Sequence, residues 1–144
     1  MYLDSAIIVK LLVKEELSEF FENSLKNLRV ATSALSLLEV RSALFSKRRE
    51  KIISETQRLS AWQAFQEKIM YGEIRIFPLN EPVFTKAAEV MERCNLTSAL
   101  RTLDAIQLAA CDISQVFPLC ATDSRMRAAA TKLGIPLFPE ALPS

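Results

Sequence analysis

The stretch Met1-Tyr2-Leu3-Asp4-Ser5-Ala6-Ile7-Ile8-Val9-Lys10-Leu11-Leu12 decides the fold. Its β-branched residues would suit a strand, but Lys10 and Lys14 stand four apart while Ile7, Ile8, Leu11 and Leu12 follow helical spacing. Met1 to Asp4 therefore reads as a short strand that hands over at once to a helix. The apolar run is interrupted by Lys10 and preceded by an acid, so it reads as neither a signal peptide nor a membrane span.

The same alternation continues outward. Glu15 to Leu28 carries Leu17, Phe20, Phe21, Leu25 and Leu28 on one stripe, which predicts an amphipathic helix. Arg29 to Thr32 reads as a second strand, and Ser33 as the cap of a helix reaching about Lys47. A charged link, Lys47 to Lys51, leads into a long helix from about Ser54 to Tyr71, and Ile74 to Phe77 forms a third strand closed by Pro78. Asn80-Glu81-Pro82 opens a helix to about Cys94, with proline early, where its missing N–H costs nothing. Thr97 to Ser114 contains a further helix, Pro118 to Thr122 reads as a buried strand, Arg125 to Leu133 as a helix ended by Gly134, and Ile135 to Phe138 as the last strand. Strands regularly separated by helices predict an α/β fold with a short central parallel sheet and helices on both faces. At 144 residues the chain suffices for one core and not for two ordinary ones, so residues 1–138 read as a single domain and 139–144 as a loose tail.

Composition excludes several chemistries. There is no histidine, so there is no Ser-His or Cys-His nucleophile pair, no HExxH zinc site and no imidazole acid or base. The two glycines, Gly72 and Gly134, can write neither a Walker loop nor a GxGxxG turn. Cys94, Cys111 and Cys120 are odd in number, sit in apolar surroundings and form no CxxC pair. They read as buried free thiols of a reducing cytoplasm, with no imidazole to activate one as a nucleophile. A net charge of +1 gives no overall attraction for nucleic acid, so any polyanion site must be local. Catalysis would have to run on carboxylates, hydroxyls, Lys, Arg or a metal.

Three of the four aspartates stand in apolar surroundings: Asp4, Asp104 and Asp123. Asp4 and Asp123 each mark a strand-to-helix handover, which in a parallel sheet is the ligand-binding carboxyl edge. Either could equally be a helix cap. Glu39 and Asp104 fall on helix faces bracketed by Leu35, Leu38 and Ser42, and by Leu100, Leu108 and Cys111. A buried carboxylate needs a cationic partner, a shifted pKa or a bound cation. Arg41 and Arg101 are the candidate partners for a purely structural ion pair. If all four acids converge they carry four negative charges, which two Mg²⁺ ions would balance, and hard cations prefer carboxylate oxygen. Such a site can activate water and stabilise the leaving oxygen of a phosphodiester without imidazole.

Four landmarks carry a resemblance: Tyr2-Leu3-Asp4-Ser5, Ser36-Leu37-Leu38-Glu39-Val40, Leu100-Arg101-Thr102-Leu103-Asp104-Ala105-Ile106-Gln107-Leu108-Ala109, and Ala121-Thr122-Asp123. In order and spacing the chain resembles the PIN-domain nucleases over almost its whole length, and within them the VapC-type ribonuclease toxins of toxin–antitoxin pairs. The resemblance implies a PIN-like three-layer fold and an endoribonuclease dependent on Mg²⁺ or Mn²⁺. Asp4, Glu39, Asp104 and Asp123 would be its catalytic, metal-binding acids, and the hydroxyls of Ser5 and Thr122 would orient those carboxylates. Many relatives carry another acid or amide soon after the fourth acid, where this chain has Ser124, Arg125, Met126 and Arg127. Arg101, Arg125 and Arg127 flank the acids and are the candidate contacts to RNA phosphates. A homodimer and a small antitoxin partner are also implied, with apolar Ala6 to Leu12 and Leu35 to Phe45 as the candidate surface. The remaining readings are a non-toxin PIN nuclease and a PIN-fold binding module without catalysis. An Asp-x-Asp phosphatase fails because Ala6 stands two residues after Asp4. An RNase H-like enzyme would need antiparallel strands where this chain has a helix.

Overall fold

Five strands and seven helices follow one another in the computed structural model, which describes every residue from Met1 to Ser144. They are β1 (Tyr2–Leu3), α1 (Ser5–Leu12), α2 (Ser18–Leu25), β2 (Val30–Ser33), α3 (Leu35–Arg49), α4 (Glu55–Met70), β3 (Ile74–Phe77), α5 (Glu81–Ser98), α6 (Thr102–Ser114), β4 (Leu119–Cys120), α7 (Ser124–Leu133) and β5 (Leu137–Phe138). The strands form one sheet in the order β3-β2-β1-β4-β5, and every neighbouring pair is parallel. Tyr2 lies opposite both Ala31 and Leu119, and Leu3 opposite Cys120.

This order places the site. The chain leaves β1 for β2 and β3 on one side, then crosses to β4 and β5 on the other, so the winding direction reverses between β1 and β4. At such a switch point the loops after adjacent strands part, and the gap between them is where open α/β sheets bind ligands.

Period-two alternation sends successive strand residues to opposite faces, and each face has its own core. Leu3, Val30, Ile74 and Cys120 pack with residues of α1 to α4, around Ile7, Ile8, Phe21, Val40, Leu44 and Phe65. Tyr2, Leu119 and Ala121 pack with α5, α6 and α7, around Val90, Ala105, Leu108, Met126 and Ala129. The expected three layers are therefore present, with α1 to α4 on one side and α5 to α7 on the other.

Several element ends differ from the sequence-based expectation for local reasons. The helix expected from Glu15 to Leu28 spans only Ser18–Leu25. Leu17 is left-handed at φ 66°, and the Ser18 hydroxyl accepts from the Glu15 N–H and donates to the Val13 carbonyl, a local bonding that competes with a helical turn. Glu15 is instead bridged by Lys10 and Lys47, tying α1 to α3. Ser33 ends β2 and Ala34 stands at the helix boundary, yet the Ser33 hydroxyl still accepts from the Leu35 N–H at 3.3 Å, so it serves the first amide of α3 from one residue further back than expected. The helix expected to close at Cys94 runs on to Ser98, and its left-handed cap is Ala99 at φ 46°. Ser54 does cap α4, closing a reciprocal box with Gln57. Gly134, at φ 74°, ends α7 with the Ile135 N–H donating back to Ala130, a closure that needs the left-handed backbone glycine adopts freely.

Candidate active site

Asp4 and Asp123 both stand at the reversal, one directly after β1 and the other at the start of α7, which follows β4. Each occupies the N-cap position of its helix, yet the two behave differently. Asp123 is a functioning cap: its Oδ1 accepts from the Met126 N–H at 2.9 Å, leaving Oδ2 toward Arg101 and Arg125. Asp4 makes no side-chain capping bond, although only 6 % of it is exposed. No cation pairs with it. Burial, and then the charge of nearby Glu39, push its carboxyl up to about 7, with Asp104 adding to the rise and the first amides of α1, at Ser5 and Ala6, opposing it.

Glu39 reaches the crevice from α3. That helix buries Leu35, Ser36, Val40 and Leu44, while Leu38 is 69 % exposed. Glu39 is therefore half-buried at the margin of the core rather than within an apolar face, which corrects its expected bracketing by leucines. Burial raises its pKa, the amide of Gln107 and the hydroxyl of Ser5 lower it, and Asp104 raises it again. Arg41, a candidate partner for a structural ion pair, lies 4.1 Å over the ring of Trp62 instead.

Asp104 enters from the first turn of α6 and is also only 6 % exposed. Here the ion-pair reading is realised. Arg101 grips it with both arms, Nε to Oδ2 at 2.9 Å and Nη2 to Oδ1 at 3.3 Å. The same Nη2 lies 3.8 Å from Oδ2 of Asp123, which Arg125 also approaches at 3.8 Å. Asp4, Glu39 and Asp104 thus lie within one another's fields, while Asp123 joins them through Arg101. No three of these acids close into a ready cage for an ion. The expected convergence of four carboxylates is therefore a shared crevice with two of its acids turned toward Arg101.

Ser5 faces Glu39 with its hydroxyl and Asp4 with its backbone amide. The Thr122 hydroxyl bonds to none of the four acids. Arg127, expected at an RNA phosphate, is placed differently: it donates to the carbonyls of Ala121, Pro139 and Glu140 at 2.8–2.9 Å, fastening the C-terminal segment to the end of β4. That segment begins with two residues held by Arg127 rather than as a wholly loose tail.

One residue escaped the sequence reading. Gln107 is fully buried, and its Oε1 accepts from the hydroxyls of Tyr2 at 2.6 Å and Ser33 at 3.0 Å. Its Nε2 donates to Ser36 Oγ at 3.0 Å and to Glu39 Oε1 at 2.7 Å. The signal was a lone amide in the apolar run after Asp104 and three positions from it, hence on the same side of the helix.

The donor set suits a hard divalent cation. Asp4 is a buried carboxylate with no direct ion-pair partner and only the more distant charge of Arg101 to offset it, a condition that costs several kcal/mol unless it is neutralised, and its neighbours offer oxygen donors. Softer ligands are absent from the crevice: the chain has no histidine, and the Cys111 and Cys120 thiols are buried in the core with pKa values pushed up to about 12.

The PIN domain model matches residues 1–132, and the chain belongs to the PIN domain family. No curated protein matches its sequence. Among solved structures it is similar to a toxin–antitoxin complex from Klebsiella pneumoniae, at 11 % identity and TM-score 0.65 over 97 % of each chain. It is also similar to FitAcB from Neisseria gonorrhoeae, at 18 % identity and TM-score 0.64 over 96 % of each. FitAB bound to an IR36 DNA fragment gives 18 % identity and TM-score 0.69 over 99 % of this chain and 97 % of that one.

Proposed function

We propose that this chain is a divalent-metal-dependent endoribonuclease and the toxin of a toxin–antitoxin pair. The observation that carries the catalytic part is Asp4, a buried carboxylate with no direct ion-pair partner at the switch point of a parallel sheet, facing Glu39 and Asp104. PIN domains are generally nucleases, and the acids of this chain supply the donors such chemistry needs.

Asp4, Glu39, Asp104 and Asp123 would hold Mg²⁺ or Mn²⁺, directly or through water. What such an ion supplies is Lewis-acid activation of water and charge neutralisation at the scissile phosphate. The protein's own contribution is placement. Gln107 fixes one Glu39 oxygen and leaves the other toward the crevice, the Ser5 hydroxyl favours ionised Glu39, and Met126 fixes Asp123 in the same way. Arg125, exposed beside Asp123, is the candidate contact to an RNA phosphate, and Arg101 a second.

The toxin assignment is supported by the structural neighbours, described as a toxin–antitoxin complex and as FitAB bound to DNA. A docking face for an antitoxin helix lies between α3 and α4, where Leu37, Leu38, Trp62, Ile69 and Met70 line an open groove of about 470 Å³. The other segment expected to contribute, Ala6 to Leu12, is largely committed to the core through Ile7, Ile8 and Val9. A homodimer and a cytoplasmic location belong to the same reading. No helix is long and apolar enough to cross a membrane, and all three cysteines are unpaired.

A binding module without catalysis is favoured by one observation, the engagement of both Asp104 oxygens by Arg101. Incubation of RNA with the protein and Mn²⁺ separates the two. Cleavage that EDTA abolishes and Asp4→Asn lowers by orders of magnitude supports the nuclease; equal cleavage by the variant sinks it. Expression of wild type and Asp4→Asn in growing cells tests toxicity.

A further inference from the structure

We propose that Arg101 is a built-in counter-cation of the acidic crevice: it holds Asp104 while no metal is bound and must let go before a divalent cation can use that carboxylate. The inference rests on the metal-dependent reading above and adds to it a competitor carried by the chain itself. Both Asp104 oxygens are engaged by the Arg101 fork, at 2.9 and 3.3 Å, and the second arm also leans toward Asp123 at 3.8 Å. A guanidinium and a metal ion both use the carboxylate's lone pairs, so each weakens the other's hold.

Arg101 is the cation placed for this role. Arg125 approaches Asp123 and not Asp104, Arg127 is tied to three carbonyls, and Arg41 lies over Trp62. It also has freedom to leave. Its side chain is 59 % exposed against 8 % for that of Asp104, and its backbone is extended at the N-cap of α6 rather than wound into the helix. It can therefore swing into solvent without opening the core, while buried Leu100 anchors the chain just before it. Once released, the same planar fork stays at the rim of the crevice, free to grip an RNA phosphate in two-point fashion. Metal binding would thus convert Arg101 from partner of an acid to partner of the substrate.

The test is calorimetric titration of Mn²⁺ into wild type, Arg101→Gln and Arg125→Gln at fixed pH and ionic strength. Arg101→Gln is expected to bind about tenfold more tightly than wild type, equivalent to about 1.4 kcal/mol. Arg125→Gln removes the same charge from the same rim without touching Asp104 and should change affinity much less. In EDTA, Arg101→Gln should melt below wild type, and the gap should close at saturating Mn²⁺. Equal or weaker Mn²⁺ binding by Arg101→Gln, an equal gain in Arg125→Gln, or a melting gap that survives saturation overturns the inference and leaves the metal site standing. Absence of Mn²⁺ binding by every protein overturns the metal reading and this inference with it.

Discussion

The Gln107 amide donates to Glu39 Oε1 across 2.7 Å, joining α6 to α3 beneath the crevice, and the bonds around it have one consistent direction. The Thr32 hydroxyl donates to the Leu3 carbonyl, so the Ser36 hydroxyl donates to Thr32 and is left to accept from Gln107. The network holds Glu39 by one oxygen only and ends on the residue before Asp4. Gln107→Leu should therefore do two separable things. It orphans the Tyr2 hydroxyl, at about 1–3 kcal/mol for a buried group left unpaired, leaves Ser33 only the bond it accepts from the Leu35 N–H, and frees Glu39 to rotate, weakening Mn²⁺ binding. In Tyr2→Phe/Gln107→Leu, stability should partly recover while Mn²⁺ affinity stays low. Chemical denaturation and calorimetry read the two effects. Wild-type affinity in the folded double variant would reduce Gln107 to a packing role.

The split between what the sequence shows and what it hides has physical causes. The handover at Asp4 is legible only from the helical spacing of Ile7, Ile8, Leu11 and Leu12, since their composition suits a strand, and the all-parallel sheet follows from having one or two helices between every pair of successive strands. Asp104 was readable as an acid among apolar residues. The same logic applied to Gln107 would have found the network, but an uncharged amide in an apolar run is a quieter signal than a charge. Leu38 misleads: its exposure at 69 % puts Glu39 at a helix margin, and only the packing of α3 against α1, α4 and α6 decides which of its sides is covered. Arg101 stands three residues before Asp104, a spacing that already offers it as a partner, whereas the carbonyls that Arg127 reaches lie 6 to 13 residues away in the chain and no spacing rule points to them.

Asp4 sets a pH dependence whose sign follows from its raised pKa. In the unfolded chain its carboxyl ionises near 3.8, and in the metal-free fold only near about 7. Between these values the folded state keeps a proton that the unfolded state has lost, so stability falls as pH rises through this window. The contribution is nil below it and fully unfavourable above it. The slope from this group is at most about 1.4 kcal/mol per pH unit. Glu15 shifts the opposite way through its bonds to Lys10 and Lys47, so the useful quantity is the difference between wild type and Asp4→Asn. In EDTA, the variant's advantage in denaturation free energy should grow from pH 4 to 7. A constant difference would mean that Asp4 titrates normally.

Asp104→Asn tests the bidentate pair. If Asp104 were an unpartnered acid among acids, removing its charge would stabilise the metal-free protein. Because Arg101 grips both oxygens from a largely solvated position, the variant should instead lose up to about 1 kcal/mol in EDTA. At a hundredfold excess of Mg²⁺ over Kd, wild type should gain about 2.7 kcal/mol and the variant clearly less, while RNA cleavage falls by orders of magnitude. Full Mg²⁺ stabilisation of the variant would remove Asp104 from the metal site.

Arg125 and Arg127 lie two residues apart on α7 and should respond in opposite ways to loss of charge. Arg125 is exposed and only approaches Asp123 at 3.8 Å, so Arg125→Ala should leave the melting temperature nearly unchanged. As a contact to phosphate and not to a base, it should lower cleavage of different RNA sequences by similar factors and reduce the salt dependence of binding. Arg127 donates to three backbone carbonyls that join the end of β4 to Pro139 and Glu140. Arg127→Ala leaves those acceptors without their charged donor and should destabilise the fold by about 1–3 kcal/mol, with earlier proteolysis after Phe138. Its effect on cleavage should vanish once activity is corrected for the folded fraction. A cleavage defect in fully folded Arg127→Ala would return that arginine to the substrate, and sequence-selective loss in Arg125→Ala would make Arg125 a reader of bases.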